Sequence, residues 1–187
     1  MPTFTKQAIK ASFLKLLNEQ PLSKITVRSI VEECGINRNS FYYHYQDIPA
    51  LIEEIITESA DRLIQKYPRI DSLEECVDTA MESMLSRKKA ILHIFNSVNR
   101  DVYEQYLMRC CNYIVTTYCD TAFGDRPMHE EDRELLHRFL TLEMFGASLD
   151  WVSRGMPEDA LQDLHRILSL FDGLHEEVIR RSMKGGA

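Results

Sequence analysis

The stretch from Thr26 to Tyr45 constrains the fold most strongly, because a helical apolar pattern stops there at a glycine and then starts again. Its first part has apolar residues three and four positions apart, which predicts a helix with one buried face: Val27, Ile30, Val31 and Cys34. Gly35 follows at once and suits the left-handed conformation that ends a helix. Thr26 is the predicted N-cap, and no capping box is expected because the first acidic residue, Glu32, follows too late.

A second short helix is predicted directly after the turn, with Asn37 as its N-cap. Phe41 and Tyr45 are four residues apart and therefore share the buried face of this helix. The other positions carry side chains that donate hydrogen bonds: Arg38, Asn39, Tyr42, Tyr43 and His44. Such side chains bind phosphates and base edges, and packing alone does not explain so many on one short helix. The two helices therefore predict a helix-turn-helix with residues 37–45 as its recognition helix.

The segment ITVRSIVEECGINRNSFYYHYQDIPAL lies within residues 5–51, which resemble the DNA-binding domain of the TetR/AcrR family of bacterial transcriptional regulators. The positions that match the family pattern are Thr26, Gly35, Phe41, Tyr42, His44 and Tyr45. The chain departs from that pattern at Ile48, where a lysine is usual, and at Val31 and Cys34, where alanines are commoner. The shorter segment INRNSFYYHYQDI is also similar to the subgroup that includes activators of dihydroxyacetone kinase operons.

The resemblance implies an all-α protein in two parts. Residues 1–50 would form an N-terminal three-helix helix-turn-helix DNA-binding domain, the head. Residues 51–187 would form a C-terminal helical ligand-binding and dimerisation domain, the body, with residues 51–67 as a connecting helix. Composition agrees, since 44% of the chain is apolar, 27% is charged, and no stretch alternates like an exposed strand. The head carries six basic and four acidic side chains although the whole chain has a net charge of −7, so its body is acidic.

The predicted body ends in two helices, at about residues 130–154 and 157–183, which we expect to form an antiparallel hairpin. Their apolar side chains exceed what one hairpin buries within itself. In the resembled family the last two helices pack against those of a second copy, which implies a homodimer. The predicted interface residues are Phe145, Leu149, Leu164, Leu168 and Phe171. A homodimer would place two recognition helices about 34–36 Å apart on a near-palindromic operator.

The helix-turn-helix divides its polar residues into two predicted roles. The residues expected to contact base edges are Arg28, Arg38, Asn39 and Tyr43. The residues expected to contact phosphates are Thr26, Tyr42 and His44. The alternative is a solvated helix surface without a ligand.

A ligand pocket is predicted in the body, lined by aromatic, methionine and acidic side chains: Met84, Phe95, Tyr103, Tyr106, Tyr113 and Glu143. The alternative for each aromatic or methionine is ordinary core packing. Glu143 and Asp150 fall on the apolar side of their predicted helix, where a carboxylate needs a partner. Arg154 is the expected partner of Asp150, and an ion pair at the dimer interface is the alternative to a ligand contact.

The alternative to a regulator is an enzyme built on a di-metal helical bundle. Glu134 and His137 form a Glu-x-x-His pattern of the kind found in di-metal bundles, with a weaker relative at Asp172 and His175. Because Glu134 and His137 share a stripe with Thr141, opposite the apolar face, they are expected to point to solvent. His165 shows no ligand spacing. We therefore predict no catalytic residue, no metal and no cofactor. A thiol sensor is a further alternative, based on three cysteines: Cys110, Cys111 and Cys119.

Location and partners follow from what the sequence contains. It shows neither a signal-peptide pattern nor an apolar run of about 20 residues, so a cytoplasmic protein without a membrane partner is expected. The five cysteines include no CxxC pair, which is typical of a reducing compartment. The predicted partners are double-stranded DNA, a second copy and a small molecule of unknown identity. Repression is the family default, activation is left open, and a ligand-independent co-regulator is the alternative.

Overall fold

The structure, a computed structural model, describes residues 2–67, 69, 72–97, 99–124, 126–170 and 174–184. Within these ranges all regular structure is helical, which confirms the predicted all-α class. A 3₁₀ turn lies at Leu22–Lys24. The α-helices are α1 (Pro2–Glu19), α2 (Val27–Cys34), α3 (Arg38–His44), α4 (Ile48–Lys66), α5 (Leu73–Leu85), α6 (Lys88–Phe95), α7 (Arg100–Phe123), α8 (Glu130–Ser153), α9 (Ala160–Leu170) and α10 (Leu174–Lys184).

The chain divides into two compact units. The first unit comprises residues 1–61 and 86–106, and the second comprises residues 62–85 and 107–187. Helices α4 and α7 each contribute residues to both units. The unit that contains the helix-turn-helix is thus larger than residues 1–50, because it also takes in most of α4 and all of α6. The predicted boundary after residue 50 divides the chain by function, into a DNA-binding part and a regulatory part, and it stays a prediction.

The first unit is built around α1, which packs against α2 and α6, while α2 packs against α3. Its core consists of side chains with no exposed surface: Ile9, Phe13, Leu17, Ile30, Phe41, Leu51 and Ile52. A ring nitrogen of His93 on α6 lies 2.8 Å from the carbonyl oxygen of Leu17 at the end of α1. The three helices of the motif are therefore supported by a fourth helix, α6, that is distant in sequence.

A cluster of opposite charges joins α1 to α4 in the same unit. Lys6 Nζ lies 2.8 Å from a Glu54 carboxylate oxygen, and Lys10 Nζ lies 2.5 Å from both Glu54 and Glu58. The Tyr45 hydroxyl donates to Glu54 over 3.2 Å. Burial opposes the charge of Glu54, but the two lysines outweigh it and lower the pKa of that carboxyl. Burial, and then the charge of Glu54, raises the pKa of the Tyr45 hydroxyl, so it remains a donor.

The second unit contains α5 packed against α9, with small clusters of buried residues along α7. Cys76 and Ile114 form one cluster, which Leu63, Tyr67, Tyr118 and Met144 cover. The other contains Val115 and Cys119, with Tyr118, Leu140, Met144 and Ile179 against it. Helix α8 therefore buries its Leu140–Met144 side against α7.

The last predicted helix, at about residues 157–183, corresponds to α9 and α10, and residues 171–173 between them lie outside the described ranges. Trp151 Nε1 donates to the carbonyl oxygen of Pro157 over 2.9 Å, which ties the end of α8 to the following turn. At the other end of α8, the Ser182 hydroxyl of α10 donates to Asp132 over 2.5 Å. The chain therefore returns along α8, as the hairpin prediction requires.

Replacing glycine with alanine is expected to change the free energy of unfolding in opposite directions at two positions. Gly35 has a φ of +68° and Gly146 lies inside α8, and a Cβ atom at either position would meet nothing within 4 Å. We expect Gly35→Ala to lower the free energy of unfolding by about 1–2 kcal/mol, because an L-residue is strained in the left-handed region. We expect Gly146→Ala to raise it by about 0.5–1 kcal/mol through reduced chain entropy. Urea denaturation of both variants measures this, and a shared sign would contradict the backbone explanation.

Candidate nucleic-acid interface

Helix α2 begins with a reciprocal pair of hydrogen bonds. The Ser29 backbone N–H donates to Thr26 Oγ1 over 3.1 Å, and the Thr26 backbone N–H donates to Ser29 Oγ over 3.0 Å. Thr26 is therefore the N-cap, as predicted. The expectation of no capping box is wrong, because Ser29 occupies the third helical position and its hydroxyl replaces the usual Glu or Gln. Thr26 is thus a structural residue, and its predicted phosphate contact stays a prediction.

The turn between α2 and α3 has the geometry that its sequence predicts. Gly35 is left-handed and its N–H donates to the carbonyl oxygen of Val31, to which Ile36 also donates over 3.0 Å. Asn37 caps α3 by accepting from the backbone N–H of Ser40 over 2.8 Å. Both helix ends are therefore closed by short local bonds, which hold α3 at a defined angle to α2.

Helix α3 buries one side and presents donors on the other. Phe41 has no exposed surface and Tyr45 is buried, with their ring centroids 5.8 Å apart. Tyr43 is 79% exposed and Tyr42 is 49% exposed. Among the other predicted DNA contacts, Arg28, Arg38 and Asn39 are exposed and His44 is half-buried. The orientation of the helix is as predicted from its spacing, whereas the assignment of each contact to bases or phosphates stays a prediction.

The two arginines differ in their surroundings. Arg28 Nε lies 2.7 Å from a Glu32 carboxylate oxygen, one turn further along α2. Arg38 contacts Tyr42, whose hydroxyl is 3.4 Å from Nη2 and whose ring centre is 5.9 Å from the guanidinium carbon. Among the described residues Arg38 has no carboxylate partner. Its guanidinium is therefore available to an incoming anion or base edge, while Arg28 must first leave Glu32.

The six predicted pocket residues are divided between the two units, and their place in a pocket stays a prediction. Phe95 and Tyr103 are buried in the first unit, where their rings meet edge to face with centroids 6.1 Å apart. Tyr106 belongs to the same unit, whereas Met84, Tyr113 and Glu143 belong to the second. The Tyr113 hydroxyl donates to backbone carbonyls of α4 and Tyr67. Glu143 is exposed, four residues after the exposed Phe139 on α8. Its role at a pocket or at a dimer interface stays a prediction.

The exposed and buried sides of α8 differ from those expected from the sequence. Leu135 and Phe139 are each 64% exposed and Leu142 is 51% exposed, so these three define an outward apolar face. Thr141 is buried and His137 is half-buried, and the interpretation of that stripe as solvent-facing was therefore wrong. Glu134 alone is exposed as predicted. The polar stripe faces α7, because Met108, Asn112 and Thr116 share a groove with it.

The predicted dimer residues are only partly accessible. Phe145, Leu149 and Leu164 are half-buried, and the side chains of Leu168 and Phe171 lie outside the described part of the chain. The exposed apolar side chains of the second unit instead include the outward face of α8, together with Ile167 and Leu170 on α9. The predicted ion pair on α8 is confirmed, since Arg154 Nε lies 2.7 Å from Asp150 Oδ2.

Among the described residues, the structure brings together one set of side chains that could hold a metal ion, which the sequence prediction missed. His165 Nε2 on α9 lies 2.9 Å from Asp78 and 3.7 Å from Glu74, both on α5. One ligand atom from each lies within 4.8 Å of the other two. Glu74 and Asp78 are four residues apart and thus share a helix face, but only packing shows that His165 joins them. All three remain accessible to water, and their contacts form an interhelical ion pair.

The ion pair between His165 and Asp78 should make the stability of the folded protein depend on pH. The hydrogen bond to Asp78 raises the pKa of His165 above its ordinary 6.5, and the charges of Asp78 and Glu74 add to the shift. A raised pKa in the folded state means a contribution that is complete below pH 6.5 and disappears as the pH rises through the folded-state value. We expect His165→Gln to lower the melting temperature most near pH 5.5 and least near about pH 8.5. His129→Gln is the control, and a pH-independent difference would contradict this account.

Buried cysteines do not provide a reactive thiol. Burial raises the pKa of Cys76 to about 11, that of Cys111 to about 12 and that of Cys119 to about 11. These thiols are protonated at neutral pH and are poor nucleophiles. Cys111 and Cys119 belong to the three cysteines of the suggested thiol sensor, so their raised pKa values are evidence against that role.

Two family models match the chain. Residues 71–173, more than half of the chain, match a model described as a transcriptional regulator C-terminal region. Residues 12–55 match the model of bacterial regulatory proteins of the tetR family. This chain belongs to the TetR family of transcriptional regulators. It is therefore a regulator with a DNA-binding helix-turn-helix and not an enzyme. Within the described residues no helix of this TetR-family protein is long and apolar enough to cross a membrane.

Comparison with individual proteins gives the same fold. The chain is 30% identical over 63 residues to the uncharacterized HTH-type transcriptional regulator YxbF of Bacillus subtilis (strain 168). That match covers 34% of this chain and only 17% of the relative. The dihydroxyacetone kinase operon activator DhaS has a TM-score of 0.73 at 14% identity, covering 90% of this chain and 96% of that one. A TetR regulator from Rhodococcus sp. RHA1 has a TM-score of 0.57 at 15% identity, covering 91% and 97%.

Proposed function

We propose that this TetR-family regulator acts as a homodimer that represses transcription from a near-palindromic operator in the cytoplasm. The observation that carries the proposal is α3, whose buried Phe41 and Tyr45 hold a row of exposed donors outward. In this proposal Arg28, Arg38, Asn39 and Tyr43 contact base edges. The phosphate contacts come from Thr26, Tyr42 and His44, and set the position of the helix on the duplex. Residues 1–50 are the DNA-binding part, and residues 51–187 regulate it through the connecting helix.

Whether the protein represses or activates transcription is tested separately from its binding to DNA. One structural neighbour is named an operon activator, and another is named the repressor AlkX from Dietzia sp. strain DQ12-45-1b. AlkX has a TM-score of 0.55 at 12% identity, and the match covers 93% of this chain and 96% of that one. Proteins with this fold therefore include both an activator and a repressor. Operator selection from random duplexes, followed by transcription in vitro on the selected site, gives the answer. Increased transcript upon addition of the protein would contradict repression.

The homodimer is proposed from the outward face of α8. Leu135, Phe139 and Leu142 are exposed at helical spacing, and burial of such side chains against a second copy is favourable. Two recognition helices then reach successive major-groove faces about 34–36 Å apart. A monomer would read only one half-site.

A charge on this face should separate the subunits. We expect Phe139→Glu to convert a dimer to a monomer in analytical ultracentrifugation, because the carboxylate would be buried without a partner. The matched control is Phe4→Glu, the same change at an exposed residue of α1. We expect the control to remain a dimer. A wild-type monomer at operator-saturating concentration would contradict the homodimer, and a dimeric Phe139→Glu would contradict this interface.

Regulation by a small molecule is the last part of the proposal. The groove between α7 and α8 supports it, because two buried polar atoms on it, His137 Nε2 and Thr141 Oγ1, have no hydrogen-bond partner among the described residues. The alternative is a co-regulator that binds DNA without an effector. A thermal-shift screen of metabolites, repeated with operator present, separates the two. A compound that stabilises the free protein and weakens operator binding supports regulation.

A further inference from the structure

The groove between α7 and α8 contains two buried polar atoms that have no partner in the part of the chain that the structure describes. It has a volume of about 360 Å³ and is lined by Met108, Asn112, Thr116, Glu134, His137, Arg138, Thr141 and Leu142. His137 Nε2 and Thr141 Oγ1 are shielded from solvent, and neither has a hydrogen-bond partner among the described groups. Thr141 is only 6% exposed. Since nearly all buried polar groups in folded proteins are paired, two neighbouring orphans one helical turn apart indicate a missing partner.

The chemistry of the lining restricts what that partner is. The Thr141 hydroxyl both donates and accepts, and His137 Nε2 does one or the other according to its tautomer. A hydroxyl group both donates and accepts, so ligand hydroxyls can pair with each of these atoms in either tautomer. Glu134 and Arg138 carry opposite charges on the same groove, so the lining has no net charge that would select an ion. Met108 and Leu142 offer apolar surface for a carbon skeleton.

We propose that this groove binds a small uncharged polyhydroxylated molecule through His137 and Thr141. Its volume lies at the lower end of the roughly 300–1,000 Å³ found for small-molecule sites. Arg138 is exposed and lies outside the proposed dimer face, so its side chain is free to move aside while a ligand reaches the floor of the groove. Asn112 and Thr116 on α7 provide further hydrogen bonds along the opposite wall.

The position of the groove gives the ligand a way to regulate the protein, and only this consequence rests on the proposed function. Leu142 belongs both to the groove and to the outward face of α8. A ligand that moves Leu142 alters the surface proposed to meet the second subunit. Binding would therefore change the geometry of the dimer and its fit to the operator.

The first test needs no DNA and uses apolar isosteres of the two orphans. If the orphan atoms have no internal partner, Thr141→Val and His137→Phe should raise the melting temperature of the free protein by several degrees. The matched control is Thr121→Val on α7, whose hydroxyl already donates to the Thr117 carbonyl over 2.9 Å. The control should lose that bond and melt at a lower temperature. A lower melting temperature for both groove variants would overturn the orphan assignment.

The second test measures binding to the full-length protein by calorimetry and by NMR of the Thr141 methyl and His137 ring. The probes are D-ribose, erythritol, D-xylose and glycerol, with D-ribose 5-phosphate as the charged counterpart. We expect at least one neutral probe to shift both signals, the phosphate to bind at least tenfold more weakly, and both groove variants to lose at least tenfold in affinity. Thr121→Val should bind as the wild type does.

The outcomes separate the site from its regulatory role. Failure of all four neutral probes, or tighter binding of the phosphate, would overturn the ligand class. Neutral binding that survives Thr141→Val and His137→Phe would overturn the location. Binding that leaves operator affinity unchanged would support the groove and contradict effector regulation by it.

Discussion

Replacing Phe41 with alanine is expected to lower the free energy of unfolding by about 3–5 kcal/mol. The ring has no exposed surface, and it packs against Tyr42 and Tyr45 with centroids 5.6 and 5.8 Å away. Alanine would leave a cavity where α3 meets the core of the first unit, and well-packed interiors close such cavities only partly. A loss of this size is a large part of the stability of a typical domain. DNA binding should disappear together with the fold.

Phe4 provides the matched control, because it is the same residue type in the same unit and is 79% exposed. We expect Phe4→Ala to change the free energy of unfolding by less than about 0.5 kcal/mol. Urea denaturation followed by circular dichroism measures both variants. If Phe41→Ala remained as stable as Phe4→Ala, α3 would not be anchored through this ring.

Replacing Arg38 with alanine is expected to relax sequence preference by about 1–3 kcal/mol, or roughly 5- to 150-fold, at one position in each half-site. Arg38 lies in the first turn of α3, where recognition helices contact base edges, and it lacks a carboxylate partner among the described residues. Asn39→Ala should relax preference at a neighbouring position by a similar amount. Selection from random duplexes at fixed salt measures both effects.

Tyr42→Phe tests the other role. A phosphate contact carries no sequence information, so this variant should weaken all duplexes about equally and leave the selected sequence unchanged. The control for the positive charge lost in Arg38→Ala is Arg181→Ala, in the second unit. It should leave sequence preference unchanged. If Tyr42→Phe changed the selected sequence and Arg38→Ala did not, the two assignments would have to be exchanged.

The helix-turn-helix was predictable from sequence because local interactions determine it. Thr26, Gly35 and Asn37 act through bonds to residues at most four positions away, and these bonds are present. The spacing of Phe41 and Tyr45 marks the buried side of α3, since a seven-residue helix has room for only one such face. The capping box at Ser29 is equally local, and the sequence prediction missed it because the third position there carries a serine in place of the usual Glu or Gln.

The body was less predictable because its helices meet more than one neighbour. On α8, Leu135 and Phe139 form one apolar side, and Leu140 and Met144 form another. Periodicity identifies apolar positions but does not say which of two sides meets the same chain. Only the packing of α7 and α10 against Leu140 and Met144 decides that Thr141 is buried and Phe139 exposed.

The sequence by itself thus determined the all-α class, the caps and turn of the motif, and the outward direction of Arg38 and Tyr43. Each of these depends on residues within one or two helical turns. The tertiary structure decided which face of α8 remains exposed, brought His165 to Asp78 across 87 residues, and left His137 and Thr141 facing α7. Such contacts join residues distant in the chain, and their formation depends on how whole helices pack, which no local pattern records.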